Sequence, residues 1–564
     1  MSLQDWSVAD LETDPFEHGL EVEAFAAGWS DCTGEISRIW WGPKCIPDLL
    51  AFIKKLPSRI KYVYFHNGGK FDLNHLLPHM SNREIDPSPT MIGSRIVALK
   101  WCNVEFRDSY ALVPKPLKSW GKDEIQLWKL KAASREKHKP EICSYLFGDL
   151  RNLREMLAEM FERYGRALTL ASLTFRIMKR DFGISPIHTS RRFDRHFRHH
   201  YFAGRVQFWG LGRHIGNFRI LDINSAFPRA MVEKHWWSQG FKTKYGKQKI
   251  VGHALYEIRC RTAGGAFALR SRDGIEFPCD GGEFFTTGWE VLAGRASGAV
   301  RDLEILCGHY PRKTQDFGAF VRHFYKLKRE ADNPADRYFA KIILNAFYGK
   351  LAQNSENFRE TAIMPWRKWP KGQGWEVVLD DKASGRTIFQ RPTNSFSDPY
   401  CVAAGASITG WVRAELFKVI CASKDVLYCD TDSLVCGRPA AHVKIGEELG
   451  EWKEEMKCDV VWIGGKKLYV AHNRAYPWHS SPKEAGKKPI RVPGLGWTSS
   501  DPKAWKTASK GVRLSIRDLI AVCEGETRTA KQEAPTYAFG VMKPFIVRTV
   551  KRADKRKGLP TAAK

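Results

Sequence analysis

The sequence predicts a multidomain protein of mixed α/β and α+β class, and three observations carry that expectation. At 564 residues the chain exceeds what one hydrophobic core usually organises. Residues 1 to 185 alternate short apolar strands (Glu21–Trp29, Val63–His66, Arg95–Trp101) with helical stretches such as Asp149–Tyr164. Beyond residue 205 the pattern turns strand-rich and irregular, then gives way to clear helices over Pro334–Leu351 and 402–422. Asn333 fits as the N-cap of the first of these and Pro334 as its first turn. The basic and aromatic stretch Arg191–Tyr201 marks a boundary. Residues 353–395 are too long and polar to be core and read as an insertion or hairpin. The tail from residue 500 is basic, and its end, KRADKRKGLPTAAK, has a disordered composition.

Composition narrows the partner. Lys and Arg number 90 against 62 Asp and Glu, a net charge of +28 spread over the whole length, which favours an extended contact with nucleic acid. The 13 cysteines form no CxxC pair, which argues against a zinc ribbon, an iron–sulfur site or a secreted disulfide framework and points to a reducing, intracellular compartment. The first residues are acidic where a signal peptide needs a basic and then apolar run, and nowhere does the chain hold the roughly 18 consecutive apolar residues of a membrane span. A soluble protein is expected.

Three segments beyond residue 205 carry chemistry. Residues 217–230 read NFRILDINSAFPRA: an apolar strand delivers Asp222 at its end, and Asn224 or Ser225 can start a helix whose free N–H groups favour anionic oxygens. Residues 428–433 read YCDTDS between two apolar strands, which sets Asp430 and Asp432 at a hairpin tip without the usual Gly or Asn. Two close acids repel, and a cation offsets that repulsion. On the helix Pro334–Leu351, Arg337, Lys341, Asn345 and Tyr348 fall on one face. Cations there suit a triphosphate, and Tyr348 with the small Gly349 suits base and sugar. A solvated basic face would account for Arg337 and Lys341, but not for the stripe continuing through Asn, Tyr and Gly.

A second set of acids lies near the N-terminus. Asp10 and Glu12 (VADLETD) share one side of a strand, Asp72 closes YFHNGGKFD, and Tyr145 with Asp149 forms Tyr-x3-Asp at the start of a helix. Four carboxylates from distant stretches are what a two-metal hydrolytic site requires, with Tyr145 able to orient the attacking water. Asp14 is read as a surface acid.

DINSAFP, KIILNAFYGK and YCDTDS, in that order, resemble motifs A, B and C of family B DNA polymerases, and the Asp-x-Asn-Ser form of the first resembles the protein-primed subgroup of bacteriophages and linear plasmids. YFAGR at 201–205 is similar to the Tyr-x-Gly/Ala-Gly motif that links exonuclease to polymerase, and KLY at 467–469 to a Lys-x-Tyr primer-holding motif. The N-terminal acids look like the three exonuclease motifs of the same family. The resemblance implies a ribonuclease H-like 3′-5′ exonuclease domain followed by a right-hand polymerase of palm, fingers and thumb with two insertions.

By that resemblance, Asp222, Ile223 and Asp432 hold two metal ions, Mg2+ or alternatively Mn2+, with Asp430 auxiliary. Ile223, Phe227, Arg337, Lys341, Asn345 and Tyr348 meet the incoming nucleotide. Tyr201, Gly204 and Arg205 handle template, and Lys467 and Tyr469 steady the primer. Asp10, Glu12, Asp72 and Asp149 form the second two-metal site with Tyr145, served by a lysine at either Lys129 or Lys131. His66, Asn67 and Phe71 contact the frayed 3′ end, the extra Gly in their loop being a tolerable change. Phe227 stands where the subgroup usually carries Tyr, which retains a steric wall against a ribose 2′-hydroxyl.

The implied domains are exonuclease 1–185, palm 186–260, a first insertion that contacts a terminal protein 261–323, fingers 324–352, a second insertion for strand displacement 353–395, palm 396–497, and thumb with tail 498–564. The implied partners are primer-template DNA, deoxynucleotides and a terminal protein, for a monomer working in a host cytoplasm. A polymerase using nucleic-acid primers or none, a catalytically silent DNA-binding homologue, and a stand-alone nuclease remain the alternatives.

Overall fold

The computed structural model describes residues 4–553 apart from 16–21, 81–84, 87, 121–123, 273, 383–384, 394–399, 480–488, 510–511, 513, 532–535, 539–540 and 544–546. Residues 554–564 of the basic tail therefore lie outside the described residues.

Two seven-stranded sheets organise the chain. The first runs Ser37–Trp41, Ala24–Asp31, Trp6–Thr13, Tyr62–Phe65, Val104–Asp108, Arg95–Trp101, Thr90–Ile92. Trp6–Thr13 and Tyr62–Phe65 are parallel, as are Tyr62–Phe65 and Val104–Asp108. Parallel neighbours need both faces covered. The long helix Lys139–Tyr164 covers one face through Leu146, Leu150, Leu153 and Leu157. The helix Cys45–Lys54 contributes Ile46, Leu49, Leu50 and Ile53 to another core.

The second sheet is antiparallel, ordered Trp505–Ser509, Leu468–Asn473, Trp452–Gly465, Gly212–Ile223, Ser433–Arg438, Lys424–Thr431, Arg205–Phe208. The helix Val402–Ala422 is buried along almost its whole length beside this sheet, which explains an apolar run with little amphipathic contrast. Two successive helices, Gly318–Glu330 and Pro334–Leu351, pack on each other, and Asn333 caps the second by accepting the Asp336 N–H at 2.7 Å.

Several boundaries move. The helix Gly318–Glu330 occupies what reads as irregular strand sequence: Phe317 at its N-cap offers no side-chain cap, so the usual start signal is missing. A four-stranded sheet ordered Phe241–Tyr245, Val300–Pro311, Leu255–Thr262, Gly282–Thr287 begins well before residue 261, and Trp505–Ser509 pairs into the second sheet although it lies beyond residue 497. The helix expected over Asp149–Tyr164 starts at Lys139. Residues 359–392 form a three-stranded sheet whose Ile363 and Ile388 bury into the core of the N-terminal sheet.

Candidate active sites

Asp222 is the penultimate residue of the strand Gly212–Ile223, opposite Ser433 on one neighbour and Lys453 on the other. The chain then turns sharply at Ser225 (φ 54°, ψ 55°) into the short helix Ala226–Met231. On the adjacent hairpin, Thr431 takes a φ of 64°, and the Asp432 N–H donates to the Asp430 carbonyl at 2.7 Å. Left-handed backbone costs a non-glycine residue roughly 1–2 kcal/mol, and such strain gathers where a side chain must be aimed. The Ile223 N–H donates to the Asp432 carbonyl at 2.9 Å, so the two acid-bearing segments are tied to each other.

Asp222, Asp430 and Asp432 share an open cavity of about 510 Å³ with Phe227, Asn345, Tyr348, Lys467 and Tyr469. The rings of Phe227 and Tyr348 stack with centroids 4.1 Å apart and planes 8° off parallel. Burial, reinforced by Asp222 and then Asp430, holds the Asp432 carboxyl up at about 6, and burial raises that of Asp222 too. Carboxylates that resist joint ionisation suit divalent cations, whose charge reverses the penalty. Asp430 differs: Lys467 Nζ lies 2.7 Å from both of its oxygens.

The helix Pro334–Leu351 presents Asn345 and Tyr348 to the cavity, with Arg337 and Lys341 exposed further along it. These two cations have a third companion that sequence reading missed. Lys328, on the preceding helix, donates to Ser225 Oγ at 3.3 Å, and burial, then Lys341 and Arg337, depress its ammonium. The i, i+1, i+4, i+5 spacing of Phe320, Val321, Phe324 and Tyr325 was the signal that could have found this helix. Lys506 and Glu455 also line the cavity, ion-paired to each other, with Lys506 depressed by burial and supported by Asp222. They come from strands with no motif, so nothing local announces them.

The N-terminal acids also converge. Asp10, Glu12 and Asp149 each bring one carboxylate oxygen within 4.8 Å of the others. Asp72 accepts the Leu11 N–H at 3.1 Å, and burial, followed by Asp10, holds its carboxyl well above the usual range. Half-buried Tyr145 stands four residues before Asp149 on the same helix. These carboxylate oxygens form a hard, anionic donor set suited to a divalent cation.

Comparisons with known proteins agree with this architecture. Residues 122–382 match a family described as DNA polymerase type B, organellar and viral. The DNA-directed DNA polymerase of Enterobacteria phage PRD1 is 30% identical over 550 residues, spanning 96% of this chain and 97% of that protein. The chain belongs to the type B DNA polymerases. The DNA polymerase of Bacillus phage phi29 is 23% identical over 455 residues, covering 69% of this chain and 72% of its own. The structure of phi29 DNA polymerase complexed with primer-template DNA and incoming nucleotide substrates superposes with a TM-score of 0.72 over 98% of this chain and 100% of that one, at 18% identity. The fold class is thereby that of the phi29 enzyme.

Within this type B polymerase, several residues expected at DNA have partners inside the protein. Arg205 is 1% exposed; its guanidinium binds Gln207 and the Gly264 carbonyl and lies 4.2 Å over Phe277. Gly204 acts on the acid hairpin, since a Cβ there would fall 2.6 Å from Thr431. Tyr201 is half-buried with Arg198 stacked 5.8 Å from its ring, and the segment after it is anchored by buried Arg413, which donates to the Phe202 and Ala203 carbonyls and pairs with Glu290 at 2.8 Å. Tyr469 packs against Tyr428 at 5.0 Å and lines the cavity beside Lys467.

In the N-terminal loop, both ring nitrogens of His66 are engaged, by Ser109 Oγ at 2.9 Å and the Lys115 carbonyl at 2.8 Å, so its imidazole braces the loop. Asn67 (φ 63°) accepts from Arg95 at 2.8 Å and is exposed, and Phe71 is half-exposed with its ring edge-on to His75 at 4.7 Å. The extra glycine is not slack: a Cβ on Gly69 would lie 1.9 Å from the Ile96 carbonyl oxygen. Asp14 is buried, 5% exposed, and accepts the Ala132 N–H at 3.2 Å, which corrects its reading as a surface acid. Lys129 pairs with Glu141 at 2.5 Å, whereas Lys131 directly precedes the Ala132 anchor.

Proposed function

We propose that this polymerase extends a primer 3′-hydroxyl by two-metal phosphoryl transfer at the palm acids and removes misincorporated nucleotides in the 3′-5′ direction at the N-terminal acids. The observation that carries the reading is the union of Asp222 and Asp432, linked through the Ile223 N–H to Asp432 carbonyl bond, with the Phe227–Tyr348 stack across one cavity. Divalent ions held there by Asp222, the Ile223 carbonyl and Asp432 supply charge stabilisation for an in-line displacement. Lys328, Arg337 and Lys341 draw in the triphosphate, and Asn345 and Tyr348 position base and sugar. Phe227 excludes a ribose 2′-hydroxyl by contact. Lys467 neutralises Asp430 and stands where a primer phosphate passes.

At the second site Asp10, Glu12, Asp72 and Asp149 would hold divalent ions that stabilise charge on the scissile phosphate, Tyr145 orients the attacking water, and the assisting lysine is Lys129 or Lys131. Phe71 and Asn67 receive the frayed strand.

The domain assignment follows: exonuclease, palm, fingers formed by the two helices 318–351, and a thumb after the edge strand at 505–509. We assign the sheet at 241–311 to terminal-protein contact and the sheet at 359–392, docked on the N-terminal core, to strand displacement. Primer extension with Mg2+ tests the polymerase site directly: Asp432→Ala extending as fast as wild type sinks it. Asp10→Ala that still degrades single strands fully sinks the editing site. Protein priming is tested by deoxynucleotide transfer to the hydroxyl of a terminal protein encoded beside this gene, and absence of transfer restricts the enzyme to nucleic-acid primers.

A further inference from the structure

A second kind of metal-ligating cluster lies away from both acid sites. His200 ends the segment that leads into Tyr201–Gly204, and it is 1% exposed. Neither of its ring nitrogens makes a hydrogen bond. Buried imidazoles are almost always satisfied, so a doubly orphaned one calls for an explanation, an unseen ion among them.

The candidates for company are close. His200, Glu257 and His309 each offer a ligand atom within 4.8 Å of the others. Glu257 and His309 come from neighbouring antiparallel strands, Leu255–Thr262 and Val300–Pro311, in which Glu257 pairs with Cys307 and Leu255 with His309. Paired and alternate positions share a face, so Glu257, Cys307 and His309 lie on one face of the sheet, and Glu257 and His309 bring their ligand atoms to His200. Glu257 Oε1 is 3.6 Å from His309 Nε2, and Cys307 Sγ is 3.5 Å from the same nitrogen. The other His309 nitrogen, Nδ1, lies 2.9 Å from Thr243 Oγ1, the outer-shell bond that orients a ligating imidazole and leaves Nε2 for a metal. Phe197 and Phe285 close over His200 at 5.9 and 5.3 Å between ring centres.

We propose that His200, Glu257 and His309 form a site for a borderline-soft divalent ion of the Zn2+ class. Two imidazoles and one carboxylate match the donor types of a three-ligand Zn2+ site whose fourth position is taken by water. They do not match Mg2+, which prefers oxygen and retains water. The ion joins the segment before Tyr201 to the four-stranded sheet at 241–311, and so fixes the entry to the palm.

The test uses the full-length protein, dialysed against chelator and titrated with Co2+ alone in the presence of excess Mg2+ to saturate the oxygen-only sites. The expected result is one tightly bound equivalent with the visible absorption of tetrahedral Co2+. That spectrum persists in the Asp10→Ala/Asp432→Ala double variant and disappears in His200→Phe and Glu257→Gln. Zn2+ added under the same conditions raises the thermal midpoint of wild type but not of Glu257→Gln, a substitution at a partly exposed side chain that leaves the fold intact by circular dichroism. Wild type that takes up no tetrahedral Co2+, or a spectrum retained in Glu257→Gln, overturns the proposal.

Discussion

The two acid sites solve one electrostatic problem in opposite ways. In the palm, Asp222 and Asp432 stand at a strand end and a hairpin tip in an open cavity, with Lys506 beside one and Lys467 already neutralising Asp430. At the N-terminal site Asp72 and Asp149 are each 2% exposed and Glu12 9%, with Asp10, Glu12 and Asp149 within 4.8 Å. The palm site thus tolerates an empty state through its own cations. The N-terminal site depends more heavily on ions from solution, because buried like charges have little water to screen them.

The largest expected effects break each site separately. Asp72→Asn lowers exonuclease turnover by roughly a thousandfold, the several kcal/mol a positioned metal contributes, and leaves primer extension unchanged. Asp430→Asn, whose partner Lys467 carries half of the pair, lowers extension by only about tenfold; single-turnover assays of the two variants give the ratio directly. A thousandfold loss in Asp430→Asn makes Asp430 a metal ligand and removes the asymmetry.

A smaller effect concerns sugar choice. Phe227→Val opens the space held by the Phe227–Tyr348 stack, and the preference for deoxy- over ribonucleotides falls by roughly 10- to 100-fold in kcat/KM ratios. Next comes Gly204→Ala, which drives a methyl into Thr431 and displaces the acid hairpin. Extension slows by roughly tenfold while single-strand degradation stays at the wild-type rate, a split that a globally destabilised protein does not show.

The smallest effect is on stability against pH. Asp432 is held at about 6 against an ordinary 3.8, and Asp72 is displaced in the same direction, so the native state binds more protons than the unfolded one between these values. Without metal, stability falls as pH rises from about 4 to about 6. With Mg2+ bound the slope flattens, because the ion replaces the proton. Urea midpoints measured across that window with and without Mg2+ check the sign, and a metal-free midpoint that rises with pH contradicts it.

How far the sequence reaches is clearest at particular residues. The acids at 10, 12, 72, 149, 222, 430 and 432 were all legible, since each sits in a short motif where strand end, turn or helix start is written by its immediate neighbours. The cap at Asn333 was legible for the same reason, as was the buried helix at 402–422. The burial of Arg205 and the two partners of the His66 ring were not legible, because a motif shows that a residue is present, not which way its side chain turns. Lys506 and Glu455 were invisible, since they reach the palm cavity from strands that carry no motif of their own, and Lys328 was missed because its uncapped helix was not recognised.

By itself, then, the sequence determined the family, the order of the motifs and the acids that hold charge, all of them matters of near neighbours along the chain. Only the tertiary structure decided which acid is paired with a lysine, which arginine is buried, and that His200 meets Glu257 and His309. Those outcomes depend on contacts between segments tens to hundreds of residues apart, where burial and the approach of opposite charges are set by packing, and no local pattern records them.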